Sequence, residues 1–241
     1  MVGGEIAGPK RVMVVSAHPD DPEFSAGGTV AALAKAGAKV VYVICTDGSQ
    51  GGEDPKQKAS ELARIRKAEQ NVAAKVLGVA KVEFLGFRDG HLTPGLKLRR
   101  ALVAMIRKHR PEVVITHNPL RQLDIHIGAS HPDHLAAGEA TFAAVYPDAR
   151  NPRAFRGLLK KGLKAHVVGE IWLPAWEGAE HVVDISEVID LKFVALRAHQ
   201  SQVAKPGAAW DFEPWMRQRA AELGEAHGYA YAEGFKRIVT A

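Results

Sequence analysis

The chain has 241 residues, 46% of them hydrophobic and 24% charged, with a net charge of +5. This is globular composition with length enough for a sizeable core; the thinly spread basicity argues against a nucleic-acid partner, which wants a basic face with interleaved aromatics. One cysteine, Cys45, excludes an internal disulfide framework and reads as a small buried hydrophobe. No run approaches the ~18 apolar residues of a membrane span, and the Gly-containing segment 1–10 has no apolar targeting stretch, so a cytoplasmic protein without an integral membrane segment is expected.

In chain order, Arg11–Ala17 is a short β-branched apolar run and predicts a strand. Ala26–Ala36 has apolar residues at helical spacing, and Lys39–Thr46 predicts a second strand. A long helix over Gln57–Leu77 ends at Gly78, a suitable residue just past a helix C-terminus. Val82–Leu85 predicts a third strand, Leu96–His109 a helix stopped by Pro111, and Glu112–Thr116 a fourth strand. A helix over Asp133–Val145 follows. Beyond Tyr146 the cadence changes: two prolines and six basic residues (Arg150, Arg153, Arg156, Lys160, Lys161, Lys164) precede strands at Glu170–Leu173 and His181–Ile185. A helix over Glu187–His199, a Trp- and Pro-containing loop over Gly207–Trp215 and a helix to about residue 226 complete the reading. Strand, helix, strand at this spacing means βαβ units. The expected fold is α/β, a Rossmann-like three-layer sandwich with a mostly parallel sheet and a C-terminal elaboration. Residues 1–241 read as one domain, with 1–146 as the parallel core and 147–241 as its elaboration.

In a parallel sheet the loops after the strands share one edge, where ligands bind. The loops after the first four strands are all polar. Two of them carry dense clusters, Ala17-His18-Pro19-Asp20-Asp21 and Ser130-His131-Pro132-Asp133-His134. Catalytic zinc takes three protein ligands from histidine nitrogen and carboxylate oxygen and keeps one open position. Of His18, Asp20, Asp21, His131, Asp133 and His134, three can hold a metal and three remain for proton transfer and orientation.

These two motifs resemble those of the PIG-L/LmbE family of metal-dependent N-deacetylases. Further matches are Thr46-Asp47-Gly48, Arg66 with Glu69, Asp89-Gly90, Arg110-Pro111-Glu112-Val113-Val114, Ala198-His199-Gln200-Ser201-Gln202 and Tyr231-Ala232-Glu233-Gly234-Phe235, so the resemblance runs from residue 11 to about 237. It implies one zinc per chain bound by His18, Asp21 and His134, with iron(II) or another divalent ion as the alternative. It implies Asp20 as general base towards a metal-activated water, His131 as acid or oxyanion stabiliser, and Asp133 as the carboxylate that orients a histidine, His131. On the substrate side it implies Asp89, Arg66 and Thr46 as contacts to a small amino-sugar or N-acyl substrate. No role follows for His199 and Gln202 beyond a structural hydrogen bond.

Two departures stand out. Ala129 occupies the place of a tyrosine that some sugar deacetylases of the family offer to the oxyanion; Asp124 and His126 lie on the same loop. A glutamate often found soon after the Thr46 position is absent from Asp47-Gly48-Ser49-Gln50-Gly51-Gly52. Trp210, Phe212 and Trp215 offer aromatic faces to a sugar or, alternatively, to the core. The leading expectation is a zinc-dependent hydrolase that removes an N-acetyl or N-acyl group from an amino sugar or sugar conjugate. The alternatives are an inactive sugar-binding protein of the same fold and a deacylase of a non-sugar natural product. A nucleotide-binding fold is disfavoured because no G-x-G-x-x-G or Walker A motif is present, and a two-metal phosphoesterase would want more ligands. The homo-oligomeric state is left open.

Overall fold

The computed structural model describes residues 8–123, 127–203 and 212–241. Its elements in chain order are β1 (Arg11–Ser16), α1 (Asp21–Lys35), β2 (Lys39–Thr46), α2 (Ala59–Val76), β3 (Lys81–Phe87), α3 (Leu96–His109) and β4 (Val113–Thr116). A 3-10 turn (Ile127–Ser130) leads into α4 (Pro132–Ala143), an irregular turn (Ala144–Ala149) and α5 (Arg156–Leu159). Then come β5 (Glu170–Pro174), β6 (His181–Asp184), α6 (Ile189–Arg197), α7 (Gln200–Val203), α8 (Phe212–Glu225) and β7 (Ala232–Val239).

The strands form one sheet in the order β3-β2-β1-β4-β5-β7-β6. The first five are mutually parallel; β7 runs antiparallel to both β5 and β6. Alternation along β1 explains the layers. Val12 and Val14 face a core shared with Ala73, Leu77, Phe193 and Leu196 of the helices on one side. Met13 and Val15 face the other, shared with Leu102, Ile106, Ala137 and Ala140. Cys45 is buried in that second layer.

Most predicted elements are present within a few residues, and β2 and α3 have the predicted bounds. Gly78 sits at φ 75° directly after the last turn of α2, a conformation glycine adopts without the penalty of a Cβ. Three differences matter. Helix α1 begins at Asp21, not Ala26; its backbone breaks at Ala26 (φ −151°, ψ 19°), so the predicted start is a kink inside it. Helix α8 begins at Phe212, within the predicted loop, and Phe212 packs on Phe24 with ring centroids 5.6 Å apart. Strand β7 was not expected at all.

The chain order reverses about β1, with β2 on one side and β4 on the other. The crevice beyond the carboxyl ends of β1 and β4 is therefore the switch point where ligands of such sheets bind. Among the described residues, no helix is long and apolar enough to cross a membrane.

Candidate active site

The turn after β1 and the N-terminus of α4 meet at this switch point. Ser16 ends β1, and its successors Ala17 to Asp20 form a tight turn into α1. Asp21 closes that turn by accepting the His18 N–H at 2.7 Å on Oδ2. On the facing side, His131 is the N-cap of α4: its Nδ1 accepts the Asp133 N–H at 3.1 Å, and Pro132 occupies the first helical position, where a missing N–H is harmless. His134 lies one turn into that helix.

Three donors converge. His18 Nδ1 is 3.3 Å from His134 Nε2 and 3.4 Å from Asp21 Oδ2. His134 Nε2 is 3.1 Å from Asp21 Oδ1. Ligands on a tetrahedral cation at ~2.0–2.1 Å stand about 3.3–3.4 Å apart, so these atoms match one face of such a shell. The far edge of the His18 ring fixes its tautomer: Nε2 is 3.1 Å from Asp89 Oδ1 and 3.2 Å from Asp133 Oδ2. The proton belongs on Nε2, which leaves the Nδ1 lone pair for the shared centre.

The electrostatics ask for a positive charge at that point. Burial pulls the His18 imidazole down, yet Asp21, Asp133 and Asp89 outweigh it and hold it at about 12. Burial would raise Asp21, but His134, His18 and His117 drive it well below the usual carboxylate range. Three groups, His18–His131–His134, Asp21–His117–His134 and His18–Asp89–Asp133, each bring ligand atoms within 4.8 Å of one another, so the cluster can hold a metal ion. Nitrogen and carboxylate donors suit a borderline divalent cation.

Asp20 differs from its neighbour. Burial pushes its carboxyl up to about 6, with Arg66 opposing and Asp21 adding. It makes no capping bond to α1; its Oδ2 is turned to Arg66 Nη2 at 3.2 Å. His131, lowered by burial and then by His18 and His134, stays neutral. Since its Nδ1 is taken by a backbone N–H, the ring proton sits on Nε2.

The structure corrects the expected role of Asp133. Its carboxylate accepts the Leu92 N–H on Oδ1 at 3.1 Å and the Gly90 N–H on Oδ2 at 2.7 Å, and it faces His18, not the His131 side chain. The reason is helical geometry: residue 133 points back from the first turn of α4 across the loop after β3. The three expected substrate contacts each have partners within the protein. Thr46 is fully buried, and its hydroxyl accepts the Gly48 N–H at 3.4 Å. Arg66 is 3% exposed; its guanidinium bonds Pro19 O at 2.7 Å and Gly48 O at 2.9 Å, tying the first motif to the loop after β2. Asp89 is 5% exposed and accepts the Gln50 N–H at 2.9 Å as well as facing His18. All three are committed to partners within the protein. Asp124, His126 and Trp210 lie outside the described residues, while Ala129 is exposed on the 3-10 turn. Trp215 lies on α8, its ring 5.4 Å from Trp176. Arg153, Arg156, Lys160, Lys161 and Lys164 are exposed.

Sequence reasoning missed His117, the residue after β4. It stacks on His134 at 4.2 Å with planes 10° apart. Its Nε2 accepts the Ala17 N–H at 3.0 Å and lies 3.2 Å from Asp21 Oδ2. Burial and His134 push it down to about 4. The approach depends on Gly138, where a Cβ would stand 2.5 Å from His117 O. The available signal was position, a histidine at the carboxyl end of a strand adjoining β1.

An α/β sheet that delivers a histidine–carboxylate cluster to its switch point defines a protein with a site able to hold a cation. Comparison with known proteins sharpens that class. The family described as GlcNAc-PI de-N-acetylase, PIG-L, matches residues 13–145, which contain both motifs. A diacetylchitobiose deacetylase of Thermococcus kodakarensis is 36% identical over 230 residues, covering 95% of this chain and 83% of that one. A 1D-myo-inositol 2-acetamido-2-deoxy-alpha-D-glucopyranoside deacetylase of Rhodococcus erythropolis is 33% identical, covering 86% of this chain and 85% of that one. The solved structure of N,N'-diacetylchitobiose deacetylase from Pyrococcus horikoshii with its inhibitor MPG has a TM-score of 0.86 at 33% identity, covering 96% of this chain and 85% of that one. The chain belongs to the PIG-L family of de-N-acetylases.

Proposed function

We propose that this protein removes the N-acetyl group from an amino sugar or sugar conjugate, using one divalent cation held by His18, Asp21 and His134. The observation that carries the reading is the mutual spacing of those three donors, 3.1 to 3.4 Å. Zinc is the first candidate for such a nitrogen and oxygen set, with iron(II) second. The cation supplies polarisation of the acyl carbonyl and an acidified water. The amino-sugar deacetylases among the relatives support the substrate class. That β5, β6 and β7 extend the sheet of β1–β4 supports reading the chain as one catalytic unit.

The rest falls to the protein's own side chains. Asp20 takes the proton of the attacking water; burial has already raised its affinity for one. His131 donates a hydrogen bond from its Nε2–H to the developing oxyanion, and the proton that Asp20 took from the water passes to the departing amine. Asp89 and Asp133 hold the His18 ring through Nε2, and His117 supports the face of His134.

The test pairs metal content of the purified protein with acetate release from N-acetylglucosamine, diacetylchitobiose and inositol-linked N-acetylglucosamine. About one metal per chain with acetate from any of these supports the reading. Metal without release moves the substrate outside the amino sugars. No metal after reconstitution with zinc or iron(II) overturns the mechanism.

A further inference from the structure

Asp20 has φ 90° and ψ −33°. L residues avoid this region, and a residue kept there is one whose surroundings over-determine it. The strain falls on the side chain assigned as base. Two groups hold it. Arg66 takes the carboxylate from one side. From the other, the backbone N–H of Asp20 donates to Gln70 Oε1 at 2.9 Å.

Gln70 presents that oxygen because its amide is oriented from behind. Its Nε2 donates to Glu23 Oε1 at 2.9 Å. The other oxygen of Glu23 is 3.1 Å from His199 Nε2. Gln70, Glu23 and His199 have no exposed surface, and none belongs to the groups that can hold a metal. They come from α2, from α1 and from the two-residue turn between α6 and α7. A row of three buried polar side chains costs free energy wherever a hydrogen bond is left unmade, and the row is joined throughout except at its far end, where His199 Nδ1 has no partner among the described residues. Here the row ends on a single backbone N–H, that of the strained aspartate. With Glu23 ionised its polarity is defined: donors run from Asp20 to Gln70 to Glu23 and from His199 to Glu23, and the carboxylate terminates both.

We propose that Gln70, Glu23 and His199 are positioning residues that hold Asp20 in its left-handed conformation and so aim its carboxylate for proton abstraction. This rests on the reading of Asp20 as general base. The defined polarity supplies a test by exchange. In E23Q an amide replaces the carboxylate that accepts from both sides. In Q70E two carboxylates face each other. In the double variant E23Q/Q70E the amide at 23 donates to the carboxylate at 70 and accepts from His199, the carboxylate at 70 accepts the Asp20 N–H, and the net charge is unchanged.

The experiment measures kcat and KM with an N-acetylated substrate from the panel above that the parent protein turns over, bound metal per chain, Tm, and hydrogen exchange at the Asp20 amide. Q70L, Q70E and E23Q are expected to lower kcat by about 10- to 100-fold, the scale of a misplaced catalytic group. KM and metal content stay at the parental value, and the Asp20 amide loses protection in Q70L. The double variant recovers kcat to within about threefold of the parent, as reforming the chain requires. Parental kcat in Q70L overturns the proposal. So does a loss of kcat in the single variants that the double variant does not recover, or that follows lost metal or lost Tm. Should Q70L fail to fold, H199Q and H199F decide: the amide retains a donor to Glu23 and kcat, the phenyl ring retains neither. D20N separates this from the parent reading. Turnover in D20N removes the base assignment itself, whereas an inactive D20N beside a fully active Q70L removes only the positioning role.

Discussion

Lys192 Nζ lies 2.5 Å from Glu233 Oε1, a buried ion pair between α6 and β7 that spans the break in α1. Glu233 also accepts the N–H groups of Gly28 at 3.1 Å and Thr29 at 2.7 Å, the first donors of the helix beyond the kink. Lys192 donates to Phe24 O at 3.1 Å, a carbonyl that the break leaves without its helical partner. The last strand thus caps a helix some two hundred residues earlier, and that helix begins at Asp21. Removing one member leaves a charge unpaired at 3% or 6% side-chain exposure. E233A should therefore destabilise the fold by about 3–5 kcal/mol, the scale for breaking a buried pair. The double variant K192M/E233L should be less unstable than E233A. Urea midpoints of the three proteins decide; an E233A midpoint equal to the parent's would remove the pair from any structural role.

Asp20 and His134, the assigned base and one assigned metal ligand, should separate cleanly. D20N should keep its metal and lose roughly 10²–10⁴-fold in kcat, the range for a general base. H134A should lose both metal and turnover, because the remaining donors, His18 and Asp21, leave the tetrahedral face incomplete. Elemental analysis of the dialysed variants beside acetate release is the measurement. Full metal occupancy in H134A would overturn the ligand set.

Local pattern reached some of this architecture and not the rest, for identifiable reasons. β2 and α3 were legible to the residue because Lys39 and Thr46 bound an apolar run and Pro111 limits a helix of clear period. The start of α1 was not, since Glu233, the group that caps its second part, is remote in sequence. β7 was missed because Glu233, Gly234, Lys236 and Arg237 break up its apolar residues, although the partners of that glutamate are buried. The six residues of the two motifs could be named because a metal centre needs them close together. The committed states of Thr46, Arg66 and Asp89 could not, since burial is a property of the assembled loops.

Glu170 gives a pH prediction. The Arg237 guanidinium hydrogen-bonded to it lowers its carboxyl, against burial and with the Trp172 indole N–H assisting at 2.7 Å. A lowered folded pKa means the unfolded chain binds the proton more tightly. The pair's contribution is present above the ordinary glutamate value of about 4.3 and is lost as pH falls through the lower folded value. Because Arg237 is 41% exposed, the effect is small and salt-sensitive. E170Q should lower Tm at pH 7, and its deficit against the parent should shrink as the pH is taken from 5 to 3. A deficit that stays constant over that range would show that the carboxylate's charge contributes nothing.

Asp89 offers the sharpest discrimination between two roles. A sugar contact would leave the cation alone and act on KM. The structure instead buries this carboxylate, 3.1 Å from His18 Nε2, with its other oxygen taken by the Gln50 N–H. Asp133 engages the same imidazole nitrogen at 3.2 Å, so two carboxylates compete for one ring proton. Such partners fix the ring and raise the basicity of the nitrogen that binds metal, and their loss commonly weakens metal affinity by about 10- to 100-fold. D89N should show a fall of that size, shared with D133N, in competition against a chelator. Since both act on one group, D89N/D133N should depart from the product of the single effects. A D89N protein with parental metal affinity and a raised KM would return Asp89 to the substrate side and leave His18 oriented by Asp133 alone.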